Sequence, residues 1–271
     1  MPIDIMKQDT WRIFRIMAEF VEGFEEMSEV GPAVTIFGSA RTRPDHPDYL
    51  AAEKTAALLV KSGLAVITGG GPGIMEAGNK GAYEAGGQSI GLNITLPHEQ
   101  QANRYQTKSL DFHYFYVRKV MFVKYASAFI CFPGGYGTLD EFFELITLIQ
   151  TLKVEAFPVV LYGSAYWTGL IDWMRQVVTD KYIDGEDMGI FRIVDTPEEA
   201  VKQLRQGIKK RWWRPADKEL RKITNGNGNG KQRPPLSGTP RTAGTGEGTR
   251  YGRRPIHTGK RHVSALRKPQ Q

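Results

Sequence analysis

A single cysteine, Cys131, stands among the 271 residues, which excludes a disulfide within the chain and any zinc cage built on several thiolates. No apolar run approaches the ~18 residues that a membrane span requires. The opening MPIDIMKQDTWRIF has none of the regions of a secretory signal. These absences point to a cytoplasmic protein with no membrane partner. The five histidines, at 46, 98, 113, 257 and 262, show no ligand spacing, so neither a metal nor a cofactor is expected.

Excess positive charge is missing from most of the chain. The formal net charge is +7, but ten of the 36 Lys and Arg residues and only one acid, Glu247, lie in residues 225–271. Residues 1–224 therefore carry −2, and the whole-chain charge gives no argument for a nucleic-acid-binding domain. The last 47 residues hold nine Gly and five Pro, and their apolar positions (Leu236, Tyr251, Ile256, Val263, Leu266) follow neither helical nor strand period. Such a segment buries too little apolar surface to offset its chain entropy, so a disordered basic tail is predicted. Weak, salt-sensitive contact with a nucleic acid or another polyanion falls to that tail alone.

What is present, at 41% hydrophobic residues, fills a real core. Ile13, Met17, Phe20, Phe24 and Met27 recur at helical spacing after a cap at Asp9 or Thr10, with Trp11, Phe14 and Val21 widening the stripe. A stripe so broad packs on the main body or on another subunit. From Ala33 onward, buried-strand runs alternate with helical stretches: AVTIF at 33–37, LAVIT at 64–68, SIGLN at 89–93, a short strand at 112–116, AFICF at 128–132, PVVLY at 158–162 and FRIV at 191–194. The intervening helices cover 47–62, with Leu50, Ala57, Leu58 and Val60 inward, then about 74–85, 117–126, 138–152, 167–179 and 197–209. Continuous apolar strands separated by helices call for a parallel sheet covered on both faces. The expectation is a doubly wound, Rossmann-like α/β domain over 1–214, a linker at 215–224 and the tail at 225–271. Trp167, Trp173, Trp212 and Trp213 read as core or subunit-contact residues.

Several familiar motifs fail. A dinucleotide fingerprint counted from Gly69 needs a third glycine where Ile74 stands, and counted from Gly71 where Glu76 stands. A Walker A loop needs lysine where Asn79 follows Gly78. The GxSxG of Gly87–Gly91 has its glycines before Ser89 and strand residues after it, the reverse of a nucleophile elbow.

Two glycine clusters do stand where open α/β sheets bind ligands, after a strand and before a helix: TGGGPGIME at 68–76 and FPGGYGTLDE at 132–141. In the second, Gly134, Gly135 and Gly137 form a tight turn. Thr138 is a helix-cap candidate, and free amides at the helix start suit a phosphate. Asp140 and Glu141 fall in the first turn, where a capping box from Thr138 to Glu141 is the plain explanation. The cations Arg118, Lys119 and Lys124 on the preceding helix give the cluster the makings of a reacting site instead.

Together FGSAR (37–41), GGGPGIMEAGNKGA (69–82) and VRKVMFVKYASAFICFPGGYGTLDE (117–141) resemble the LOG (LONELY GUY) family over roughly residues 31–210. SIGLNITLPHEQ and the N-terminal helix look like its larger bacterial branch. The resemblance implies cleavage of the N-glycosidic bond of adenosine 5′-monophosphates, with or without an N6 substituent, to free base and ribose 5-phosphate, in a homo-oligomer of two or more chains. By motif it implies Arg118 and Glu141 as catalytic residues. It implies Gly134, Gly135, Gly137 and Thr138 as the phosphate turn, and Ser39, Arg41, Gly70, Gly71, Glu76 and Lys119 as further substrate contacts. Arg118 would hold the phosphate or the departing base. The decarboxylase label often attached to this family asks for a Schiff-base lysine, and nothing singles out Lys80, Lys119 or Lys124. A non-catalytic carrier of a phosphorylated pterin, such as molybdenum cofactor, is the alternative that would need the turn but not Arg118 with Glu141.

Overall fold

Seven strands form one all-parallel sheet in the computed structural model, which describes residues 3–96, 101–210 and 212–214, the side chains of 3–10 aside. The strands are β1 (Ala33–Phe37), β2 (Ala65–Thr68), β3 (Ser89–Ile94), β4 (Lys108–Phe112), β5 (Ala126–Cys131), β6 (Val159–Tyr162) and β7 (Phe191–Val194). The helices are α1 (Ile3–Met27), α2 (Pro47–Lys61), α3 (Ile74–Glu84), α4 (Phe115–Tyr125), α5 (Tyr136–Gln150), α6 (Ser164–Thr179) and α7 (Pro197–Lys209). The strand order is β4-β3-β2-β1-β5-β6-β7, so the doubly wound Rossmann-like fold read from the sequence is the one observed. The linker and tail predicted for 215–271 lie outside the described residues. No helix among the described residues is long and apolar enough to cross a membrane.

β1, β2 and β6 are buried along their whole length, as strands covered on both faces must be. Cys131, at the end of β5, is completely buried. Trp167, Trp212 and Trp213 are buried too, whereas Trp173 is exposed on α6.

Four local expectations shift. α1 begins at Ile3, so Asp9 and Thr10 lie inside it rather than at its cap, and most of its apolar stripe is exposed. α2 turns Tyr49, Ala52, Ala56 and Leu59 inward, leaving Leu50 55% exposed and Ala57, Leu58 and Val60 only partly covered. The two alanines leave room for α3 to pack closely, and the Tyr49 hydroxyl donates to Glu76 at 3.0 Å. The aromatic run 112–116 is not a strand. Pairing with β3 falls on 108–112, and the Glu19 carboxylate of α1 then accepts from the His113 and Tyr114 amides, turning the chain into α4. Finally, α5 starts at Tyr136 with Gly135 as its cap residue, two positions before the predicted Thr138 start.

Under the first glycine cluster lies a buried polar web centred on Asn79 of α3. Its side-chain carbonyl accepts from Thr68 and Asn103, and its amide donates to the Ser89 hydroxyl (2.9 Å) and the Ile90 carbonyl (3.2 Å). Thr68 in turn accepts from the Gly70 amide, so the web holds the 69–73 turn in place. Ser89 belongs to this web and is buried, with no opening for a nucleophile. Asn79→Ala strands several of these groups without partners and is expected to cost about 2–4 kcal/mol in urea unfolding.

Candidate active site

The direction of winding reverses between β1 and β5, and the connections leaving those strands pass to opposite faces of the sheet. A cavity of about 720 Å³ opens at that point, within the range of small-ligand sites. One wall is the β1 loop with Ser39, Ala40 and Arg41; the opposite wall is the 134–141 segment; the floor and far side are Met75, Ile94, Leu96, Phe115, Arg118 and Phe122.

Three turns are tied together at Ser39. Its amide donates to the Pro133 carbonyl (3.0 Å), its carbonyl accepts from the Ile74 amide (3.0 Å), and its hydroxyl accepts from the Arg41 amide (3.1 Å). Two glycines make this convergence possible. Gly73 has φ +68° and lies against the Ser39 carbonyl, where a Cβ would stand 2.3 Å from the oxygen; at Gly134 a Cβ would fall 2.2 Å from the Thr138 hydroxyl. The Pro133 carbonyl is thereby turned to Ser39, and the Gly134 carbonyl accepts from the Tyr166 hydroxyl. Among the described residues the amides of Gly135, Tyr136 and Gly137 have no hydrogen-bond acceptor, and they stand at the positive end of α5.

Glu141 sits in the second turn of α5, so the predicted capping box does not form and macrodipole compensation of the first turn does not explain it. The residue is 5% exposed, lines the cavity, and its Oε2 atom has no hydrogen-bond partner among the described residues. Burial pushes its carboxyl up to about 7; Lys119 and Arg118 oppose the shift, while Glu144 and Asp140 add to it. Arg118 approaches from α4, its guanidinium over the Phe115 and Phe122 rings at 5.2 and 5.5 Å, with a long contact from Nη1 to the Leu92 carbonyl and no partner for Nε among the described residues. Desolvation holds Arg118 below the ordinary arginine value, against the pull of Glu141 and Asp140. An unpartnered buried cation atom and an unpartnered buried carboxylate oxygen thus share one cavity, and each is a cost to the fold alone.

The structure brings Ser39, Arg41, Arg118, Gly134, Gly135, Gly137, Thr138 and Glu141 to this cavity. Four other residues singled out in the sequence stand behind it. The Gly70 and Gly71 carbonyls accept from Asn103, and Glu76 accepts from Tyr49. Lys119 is drawn away to Asp140 (2.7 Å) and Glu144 (2.9 Å), remaining 3.7 Å from Glu141. Burial weakens the Lys119 ammonium but these carboxylates outweigh it, so its pKa stands above the ordinary lysine value. Lys124 lies over the Phe24 and Tyr125 rings, away from the cavity. Sequence reasoning passed over Met75, Phe115, Tyr136 and Tyr166. The first three lie in or beside the quoted motifs, where glycines and charges drew attention, and Tyr166 lies in none. No group of three or more His, Cys, Asp or Glu among the described residues is placed to hold a metal ion.

Residues 75–204 match a family model described as possible lysine decarboxylase. Cytokinin riboside 5′-monophosphate phosphoribohydrolase LOG3 of Arabidopsis thaliana is 36% identical over 90 residues, 33% of this chain and 41% of that protein. A bifunctional cytokinin biosynthesis protein of Fusarium pseudograminearum is 38% identical over 80 residues, 30% of this chain and 16% of that protein. The match spans less than half the length of either relative. A solved structural-genomics target superposes over 65% of this chain and 99% of its own, at 27% identity and a TM-score of 0.50. A molybdenum cofactor binding protein from Rippkaea orientalis covers 66% of the chain at 21% identity and a TM-score of 0.49, too distant to bear on what this chain binds. The resemblance to the LOG family carried by the motifs is found again in these matches.

The raised Glu141 carboxyl has a consequence for stability. Between the unfolded value near 4.5 and the folded value of about 7, the native state holds a proton that the unfolded chain has lost. Stability therefore falls as pH rises through that window, by on the order of 3 kcal/mol once both states are ionised. Glu141→Gln removes this dependence: unfolding at pH 8 should show the variant to be the more stable protein, and the gap should close toward pH 4.5.

Proposed function

We propose that this protein is a LOG-type hydrolase that cleaves the N-glycosidic bond of N6-substituted adenosine 5′-monophosphates, releasing the free base and ribose 5-phosphate. The observation that carries the reading is the pairing of an unpartnered Glu141 oxygen with the free amides of 135–137 across one cavity. In this reading the 5′-phosphate sits on the amides at the start of α5, with Thr138 and Arg41 beside it. The ribose then faces Glu141. The base lies against the apolar side made by Met75, Ile94, Leu96, Phe115 and Phe122, which leaves room for a hydrocarbon on N6.

The bond from C1′ to the base nitrogen breaks through an oxocarbenium-like state, whose positive charge a carboxylate beside the sugar stabilises. Glu141 also orients the water whose oxygen joins C1′ and takes its proton, while the departing base takes up a proton at nitrogen from solvent, to which Glu141 then returns the one it took. Arg118 favours the ionised form of Glu141 and offers its unpartnered Nε to an oxygen of the substrate. A Schiff-base mechanism finds no support, since no lysine is among the described residues lining the cavity and Lys80 is paired with Glu53.

The active assembly is a homo-oligomer in this proposal. Trp11, Phe14, Met17 and Val21 of α1 are exposed, as is Phe115 of α4 at the cavity. Charge favours a second copy of the chain as the occupant: the first half of α1 carries Lys7, Arg12 and Arg15 against Asp4 and Asp9, while its second half carries Glu19, Glu22, Glu25 and Glu26 with no base. Antiparallel packing of two α1 helices sets Arg12 and Arg15 of each against the acidic half of the other.

Incubation with AMP and with isopentenyl-AMP, followed by chromatography, should yield free base and ribose 5-phosphate, faster from the prenylated substrate. Turnover should rise as pH passes through about 7, where Glu141 ionises. Glu141→Gln is expected to lower kcat by roughly 10²-fold or more with the fold intact; near-normal turnover in that variant overturns the role given to Glu141. Light scattering should give the mass of at least two chains, and Met17→Glu with Val21→Glu should reduce it to one.

A further inference from the structure

Tyr166 stands on α6, outside every motif that marks the site, yet its ring lines the cavity and its hydroxyl donates to the Gly134 carbonyl. The ring's place is set by the fold. It meets Trp167 edge-on at 4.9 Å, and Trp167 is completely buried, its Nε1 donating to the Tyr162 carbonyl.

Gly134 and Gly135 flank a single peptide unit, and a peptide between two glycines is the easiest in a chain to rotate, because neither residue has a side chain to oppose the turn. At Gly135 nothing lies within 4 Å of where a Cβ would stand, so packing does not oppose rotation there. The Gly134 end is packed against Thr138 and the Ser39 amide, so at the open Gly135 end the orientation of the unit falls to the Tyr166 hydrogen bond. In a trans peptide the carbonyl and the following N–H lie in one plane and point in opposite directions. β5 runs between β1 and β6, and α6 follows β6, so drawing the Gly134 carbonyl toward Tyr166 turns the Gly135 amide toward the β1 side. That is the side on which Ser39 and Arg41 line the cavity. The preceding peptide is held from the other direction, with the Pro133 carbonyl on the Ser39 amide.

We infer that Tyr166 is a positioning residue for the anion site: its hydroxyl, by holding the Gly134 carbonyl, aims the Gly135 amide at the substrate phosphate. This rests on the reading of the 134–138 turn as the phosphate holder. Tyr166→Phe keeps the ring and removes the hydroxyl. Calorimetry with inorganic phosphate and with AMP, beside steady-state kinetics, is expected to show phosphate affinity weakened and KM raised by about tenfold. kcat should fall less than twofold, the pH profile should not move, and the affinity for adenosine, which lacks the phosphate, should stay as in the wild type.

Unchanged phosphate affinity overturns the inference, as does an equal loss for adenosine and AMP, which would mean a defect of the whole cavity. A wild-type protein that binds phosphate but releases no base overturns the hydrolase reading and leaves the inference standing on the binding data. A wild-type protein that binds no phosphate overturns both.

Discussion

The site depends on the hydrogen bonds that gather three turns at Ser39. This residue accepts from the turn after β2 through Ile74 and donates to the turn after β5 through Pro133. Parallel strands place their carboxyl ends on one edge of the sheet, but that alone leaves separate loops with separate mobilities. Ser39 makes them one surface. The glycines at 73 and 134 are needed because the backbones come closer there than any Cβ permits. The buried web around Asn79 serves the same end from below, holding Thr68 and with it the Gly70 amide.

On that surface two charged groups are kept in an environment that the fold itself does not favour. Glu141 and Arg118 each retain a buried atom without a partner among the described residues, and burial works against the charge of both. Lys119 tempers this for Glu141 from 3.7 Å while spending its own hydrogen bonds on Asp140 and Glu144. A carboxyl poised near neutrality beside free amides is an arrangement that gains its missing partners only when something enters the cavity.

Much of this was legible in the residues. Apolar strand runs and glycine breaks gave six of the seven strands and their parallel arrangement, because strands buried on both faces leave a plain signal. The PGGYGTLDE run led to Glu141 and the turn before it. The errors came where tertiary contacts overrule local pattern. FHYFY reads as a strand on propensity, but the Glu19 carboxylate on α1 captures the His113 and Tyr114 amides and starts a helix. Thr138 followed by Glu141 reads as a capping box, yet the chain enters α5 at Tyr136, which frees Glu141 to face the cavity. Lys119 was grouped with Arg118 because the two are adjacent, although neighbours on a helix point about 100° apart. Tyr166 left no trace in sequence, since its importance lies in one bond to a carbonyl more than thirty residues away.

The lone cysteine has a use that its burial creates. Cys131 ends β5 directly before the phosphate turn and has no exposed surface, and burial also holds its thiol far above the ordinary value, with Glu141 adding to the effect. A thiol reagent therefore reaches it only when the centre of the sheet comes apart. The rate of its modification becomes a chemical clock for opening of the strand that carries the site, readable without any label being introduced.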